Sequence, residues 1–240
     1  MTGMGGDAMN LEQLASYLQR DSREVAKLVD RGTLPGRKVG GTWRFSRQEI
    51  RHWLEAQIPG YDDDQLRQVE RYHAEPAEPL LAHLIHEACV AVPLKATTRS
   101  SVIRELVTLA EQSWQVYDPK TVLEAVQARE ALGSTALENG VAIPHLPRPN
   151  PEALGESLIA FGRTGSGLPF GAPDGGLTDL FFLVLSQDES LHLKILARLS
   201  RLFLRPGFLD ALRNEATAHG ARQLILDAEA ELLSQPATAR

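Results

Sequence analysis

The stretch from Arg129 to His145 reads REALGSTALENGVAIPH and holds the residues best suited to chemistry. Gly133, Ser134, Thr135, Asn139 and Gly140 make a polar, flexible loop, after which Val141 to Ile143 give a short apolar strand that Pro144 halts. His145 therefore stands at a strand end behind a rigid residue. Neutral imidazole is nucleophilic near pH 7, and a phosphoramidate formed on it stays labile enough to give the group away, so His145 suits reversible phosphoryl transfer. The transferred group is anionic and calls for a nearby arginine or oriented backbone N–H groups. A single histidine beside a proline is also a common structural arrangement. Thr135 and Ser134 are candidates either for hydrogen bonds in such a site or for a plain turn role.

His192 lies in ESLHLKILARLSRLF, residues 189–203. Ser190 can cap that helix, which puts His192 in the first turn, where the positive end of the dipole favours neutral imidazole and attracts anions. Read without that function, it is a half-exposed helix residue. His83 and His86 can share a helix face but have no obvious third ligand, so no metal site is expected. His52, His73 and His219 read as surface residues. Residues 167–175, GLPFGAPDG, are glycine-rich but lack the lysine and the strand-to-helix setting of a nucleotide loop, so they read as a connection bordering the site. Cys89 is the single cysteine, which excludes an intrachain disulfide and a cysteine-based metal cluster. No cofactor is called for.

Positioning these groups needs a sheet with helices around it. Short β-type runs at Cys89 to Val92, Leu158 to Gly162 and Leu180 to Leu185 alternate with amphipathic windows at about Ser100 to Trp114, Asp118 to Glu130, Leu191 to Phe203, Pro206 to Asn214 and Ala221 to Leu233. Phe181 to Leu185 is apolar without alternation, which predicts a central strand covered on both faces and helices on two sides of the sheet. The whole chain has 240 residues, 43% hydrophobic and 23% charged, enough for one large or two small domains. It shows neither an apolar run of membrane-spanning length nor a signal-peptide pattern, so the expected compartment is the cytoplasm, without membrane insertion.

Charge divides the chain. Residues 9–58 carry nine Lys/Arg against six Asp/Glu, a balance of +3, whereas residues 59–240 carry 16 against 24, a balance of −8. Pro59 to Pro79, with three successive aspartates and few aliphatics, reads as the linker between them, although Asp64 to Tyr72 can extend a helix. Residues 1–8 read as a disordered leader and 235–240 as a tail. In the basic part, Asn10 with Gln13 opens a short helix through Leu14 and Leu18, and Ser22 is placed to cap a second with Val25, Leu28 and Val29 inward. Arg37 to Val39 and Trp43 to Phe45 flank Gly40-Gly41, a hairpin pattern, and Ser46-Arg-Gln-Glu is a capping box opening a third helix. Arg23, Lys27 and Arg31 recur at four-residue spacing and form a cationic stripe, and the hairpin adds Arg37, Lys38 and Arg44. Such groups contact phosphates or guanine edges in duplex DNA. A solvated helix partly paired to Glu24 and Asp30 is the competing reading. Trp43, Phe45 and Trp53 read as core.

The segment LEQLASYLQRDSREVAKLVDRGTLPGRKVGGTWRFSRQEIRHWL resembles the excisionase and MerR-type winged helix-turn-helix family over about 45 residues. That implies DNA binding at 9–58, or a protein-docking role in its place. The string RE, GST, a glycine step and AIPH, in this order, resembles the type-2 enzyme IIA family of the phosphoenolpyruvate-dependent phosphotransferase system, with coverage from Leu80 to Glu231. This resemblance implies an α/β fold with a mixed sheet flanked by helices over 80–234. It implies that His145 is the phosphorylated residue, that Arg129 clamps phosphoryl oxygens, and that His192 is the second site histidine. Ala136-Leu137-Glu138 departs from the smaller residues usual there, which bears on loop shape and partner choice. The implied partners are phosphorylated HPr or an HPr-like carrier, with a separate enzyme IIB as a further acceptor. No permease or enzyme IIB segment is recognised, which favours a regulatory phosphocarrier coupled to DNA binding over a sugar-uptake component. A regulator that is never phosphorylated is the third reading.

Overall fold

The computed structural model describes residues 8–18, 20–72 and 78–234. The chain divides into two compact units, Met1–Tyr72 and His73–Arg240. Among the described residues no helix is long and apolar enough to cross a membrane.

In the first unit the order is β1 (Ala8–Met9), α1 (Leu11–Leu18), α2 (Ser22–Asp30), β2 (Arg37–Val39), β3 (Thr42–Ser46), α3 (Arg47–Gln57), a 3₁₀ turn (Ile58–Gly60) and α4 (Asp63–Tyr72). The strands form one antiparallel sheet in the order β1-β3-β2. Helix α1 opens as expected: the Gln13 amide donates to Asn10 Oδ1 at 2.8 Å and the Asn10 amide to Gln13 Oε1 at 2.9 Å. The cap of α2 falls one residue earlier than expected, because Asp21 and not Ser22 accepts from the Arg23 amide. Ser46 caps α3 through the Glu49 amide. Gly36 passes so close to the Phe45 ring that a Cβ there would stand 2.5 Å from it.

Two boundaries differ from the sequence reading. Ala8, assigned to the leader, pairs with Ser46, and Met9 pairs with Phe45 and is buried; residues 1–7 lie outside the described residues. Most of the expected 59–79 linker is folded. Asp62 and Gln65 exchange reciprocal side-chain to amide bonds at 2.9 and 3.0 Å, so the acidic run caps α4, whose Leu66 is fully buried. Residues 73–77 and the 235–240 tail lie outside the described residues, as does His73, read as a surface residue.

The second unit runs α5 (Leu81–Leu84), β4 (Val90–Leu94), α6 (Arg99–Glu111), α7 (Pro119–Leu132), β5 (Val141–Ala142), β6 (Leu158–Leu168), β7 (Thr178–Leu185), α8 (Glu189–Phe203), α9 (Phe208–Asn214) and α10 (Ala218–Ser234). Its sheet is mixed, in the order β4-β6-β7-β5, with β4 parallel to β6, β6 antiparallel to β7 and β5 parallel to β7. Strand β7 is interior and buried nearly from end to end, as its unbroken apolar run predicts. Alternation decides what each side chain meets: Phe181, Leu183 and Leu185 join the core with Leu106 of α6 and Val126 of α7, while Phe182 packs against Phe203 of α8 at 5.2 Å. The sheet is thus covered by helices on both faces. At the start of this unit the Glu229 carboxylate accepts from the amides of Leu80 and Leu81 at 2.9 Å and pairs with buried Arg198, tying α5, α8 and α10 together.

Candidate functional site

His145 is carried to its place by the edge of the sheet. Val141 and Ala142 pair with Leu180 and Phe181, and the register continues past Pro144: the Val184 amide donates to the Pro144 carbonyl at 2.8 Å, and His145 forms a parallel bridge with Val184. The loop leading in is shaped by Gly140, at φ +80°, where a Cβ would fall 2.6 Å from Arg213 Nη2. Arg213 Nη2 donates to the Asn139 carbonyl at 2.6 Å, and its Nε pairs with Asp179 at 2.9 Å. Any side chain at 140 would displace that brace.

Two hydrogen bonds bear on the protonation of the imidazole. Arg129 Nε donates to His145 Nε2 at 3.1 Å, and His145 Nδ1 lies 2.8 Å from the Ile143 carbonyl oxygen. A guanidinium only donates and a carbonyl only accepts, so the two partners assign the proton to Nδ1 and leave a lone pair on Nε2. Arg129 sits in the last turn of α7, and its Nη1 donates to the Gly133 carbonyl at 3.1 Å, which holds the fork in place.

His192 stands with its ring centroid 5.1 Å from that of His145 and tilted by 56°. Both rings are buried, so His192 is not the half-exposed residue of the plain helical reading. It is the fourth residue of α8, whose cap is Asp188 and not Ser190: the Leu191 amide donates to Asp188 Oδ1 at 2.7 Å, while Ser190 already lies inside the first turn. Of the expected connection at 167–175, Gly167 and Leu168 close β6, and the Phe170 carbonyl accepts from the Ser134 hydroxyl at 3.0 Å.

In the first unit Arg23 and Lys27 are exposed on α2, opposite buried Val25 and Val29. Arg31 is exposed too and is the C-cap, one residue past the end of the helix but still in helical conformation. On the wing, Arg37 and Arg44 are paired directly across β2 and β3, Arg37 forms an ion pair with Glu49 at 2.9 Å, and Lys38 lies over the Trp43 ring at 5.1 Å. Like charges facing each other across strands are unfavourable alone, and a bound polyanion would relieve them. Phe45 is core, as expected, and Trp43 and Trp53 are half-buried.

Residues 83–228 match the model of the family described as phosphoenolpyruvate-dependent sugar phosphotransferase system, EIIA 2, and residues 8–58 match that of a helix-turn-helix domain. The chain belongs to the type-2 EIIA family. Relatives of this EIIA domain include a nitrogen regulatory protein of Bradyrhizobium diazoefficiens, 34% identical over 60% of this chain and 94% of its own length. Another, the nitrogen regulatory protein of Pseudomonas aeruginosa, is 28% identical over 55% of this chain and 85% of its own. The crystal structure of the nitrogen regulatory protein IIA-Ntr from Neisseria meningitidis superposes with a TM-score of 0.54 at 28% identity, covering 60% of this chain and 97% of that one. Membership makes the second unit a phosphoryl-carrying component of a phosphotransferase system in general terms.

Within the EIIA domain, Arg129, His145 and His192 are brought together. Thr135 is not turned to them: its hydroxyl donates to Glu130 Oε2 at 2.6 Å, so the expectation that it bonds the reacting group gives way to a contact within the loop. Glu130 is a residue that sequence reasoning misses. A signal is present, since a carboxylate in the last turn of a helix opposes the dipole and needs a strong partner elsewhere.

Proposed function

We propose that this protein is a regulatory phosphocarrier that accepts a phosphoryl group on Nε2 of His145 from phosphorylated HPr or an HPr-like carrier, and that its first unit binds duplex DNA. The observation that carries the reading is Arg129 Nε against His145 Nε2 and the Ile143 carbonyl against Nδ1, contacts that favour a proton on Nδ1 and a lone pair on Nε2. In the transfer, the Nε2 lone pair forms the new N–P bond while the P–N bond to the donor's phosphohistidine breaks, and that electron pair returns to the donor nitrogen. No proton has to move. Positive charge that develops on the ring is met at Nδ1–H by the Ile143 oxygen, and Arg129 exchanges Nε2 for the phosphoryl oxygens, where a charge-assisted fork is strongest. His192, at the N-terminal turn of α8, adds a donor on the other side.

The regulatory sense is supported by the relatives named as nitrogen regulatory proteins and by the helix-turn-helix match at 8–58. A transport role, handing phosphate to a separate enzyme IIB, is the rival, and it is distinguished by mixing the phosphorylated protein with candidate enzyme IIB domains and following loss of the label. The direct test is incubation with phosphoenolpyruvate, enzyme I and HPr followed by intact-mass measurement. One acid-labile phosphate is expected, absent in His145→Ala. Continued labelling of that variant would overturn the assignment.

A further inference from the structure

Glu130 is buried in the last turn of α7, next in sequence to Arg129, where the helix dipole disfavours a carboxylate. Three donor groups hold it there. The Thr135 amide lies 3.1 and 3.2 Å from its two oxygens, the Thr135 hydroxyl 2.6 Å from Oε2, and Arg99 Nη2 2.7 Å from Oε1. Arg99 Nη2 also donates to the Glu130 main-chain carbonyl at 2.8 Å, and its guanidinium lies over the Phe170 ring.

The contacts continue toward the imidazole. The Thr135 carbonyl accepts from the Ile143 amide at 3.1 Å, and the Ile143 carbonyl in turn faces His145 Nδ1 at 2.8 Å. Glu130, Thr135, Ile143 and His145 thus form one chain of hydrogen bonds from the end of α7 to the site. Its last member decides which ring nitrogen carries the proton. A carbonyl oxygen that drifts away from Nδ1 no longer anchors the proton there, and a proton on Nε2 removes the lone pair that must attack phosphorus.

We infer that Glu130 is a positioning residue for His145: it clamps the 133–135 loop so that the Ile143 carbonyl keeps the imidazole in the Nδ1–H form with Nε2 aimed at the incoming group. The inference rests on the phosphocarrier reading. Glu130 makes no contact with the phosphoryl group and acts through Thr135 and Ile143. The charge matters as well as the shape, because a glutamine in its place would present an amide NH₂ to donors that need an acceptor.

The test compares the full-length wild type with Glu130→Gln and Thr135→Val. Two measurements are made: ¹⁵N chemical shifts of the His145 ring without any phosphoryl donor, and the phosphorylation rate at varied HPr concentration. Wild type should show the Nδ1–H form. Glu130→Gln should mix in the Nε2–H form and slow transfer by up to about a hundredfold, mainly in kcat, since misplacement of a reacting atom by about 1 Å has that effect. Thr135→Val, which keeps the amide and loses the hydroxyl, should show a smaller change in the same direction, and it decides the matter should Glu130→Gln fail to fold. Wild-type ring shifts and wild-type rates in the folded variants would overturn the inference. The two readings separate cleanly: a wild type that takes no label sinks the phosphocarrier reading, while the ring shifts alone still judge the action of Glu130 on His145.

Discussion

Arg129 Nε stands 3.1 Å from His145 Nε2, the nitrogen that the proposed transfer brings to phosphorus. On the proposed reading Arg129 is the anion clamp, and it would shift from ring nitrogen to phosphoryl oxygen as the bond forms. Arg129→Ala should slow phosphorylation by roughly a hundredfold or more, the usual cost of losing one donor aimed at developing charge. Arg129→Lys should recover little of it, because an ammonium offers no planar fork to bridge the ring, the phosphoryl group and the Gly133 carbonyl. Single-turnover rates of label uptake decide this, and a lysine variant as fast as wild type would reduce Arg129 to a structural charge.

His192→Ala should leave the label count at one and lower the rate, since the ring beside His145 is proposed to bond the phosphate and not to carry it. The lifetime of phosphorylated protein at neutral pH is the second measurement, and it should shorten. A variant with normal rate and normal lifetime would place His192 in packing alone.

Lys27→Ala should weaken duplex DNA binding by the full chain and flatten the slope of log affinity against log salt by about one unit if it neutralises one phosphate. Arg44→Ala should do the same and should also relieve the Arg37–Arg44 cross-strand pairing, so the wing is expected to fold at least as well without it. Anisotropy of a labelled duplex across a salt series reads both. Absence of binding to any duplex at low salt would favour a protein-docking role for this unit.

If the proposed function holds, phosphorylation of His145 is expected to change DNA affinity. A tenfold change corresponds to about 1.4 kcal/mol of coupling, within the ordinary range for two linked sites. Titrating one duplex with phosphorylated protein, unphosphorylated protein and His145→Ala measures it. Equal dissociation constants for all three would mean that the units are tethered and nothing more.

Asp118 caps α7, the helix that presents Arg129 and Glu130, and the Thr121 hydroxyl and amide, at 2.7 and 3.0 Å, hold its carboxylate below the usual carboxylate range. Because the folded value lies below the unfolded one, this stabilisation is complete above the unfolded value and is lost as pH falls through the folded one. Asp118→Ala should therefore lower Tm at pH 7, with the gap to wild type closing below about pH 4. A gap that stays constant with pH would show that the charge of the cap plays no part.

Much of this molecule is legible in local spacing. Helices α1 to α3 and α6 to α10, the wing, the Ser46 cap and the buried central strand follow from period, capping residues and glycine turns, because these set backbone dihedrals and side-chain faces within a few residues. Pro144 limits β5 to Val141–Ala142, yet the pairing with β7 resumes at His145 opposite Val184, which spacing does not reveal. Where two local signals compete, the sequence leaves the outcome open: Asp188 and Ser190 are both cap formers two residues apart, and the acidic run at 62–64 suits a linker as well as a helix start until Gln65 is seen to bond back to Asp62. The chemistry depended on longer distances. Which nitrogen of His145 carries the proton depends on Ile143 on the sheet edge and Arg129 on a helix 16 residues earlier, and the approach of His192 on how α8 packs beyond β7. Spacing along a chain fixes which way a side chain points from its own element; whether two such side chains meet within hydrogen-bonding reach depends on the register of strands and the packing of helices, and only the folded chain supplies that.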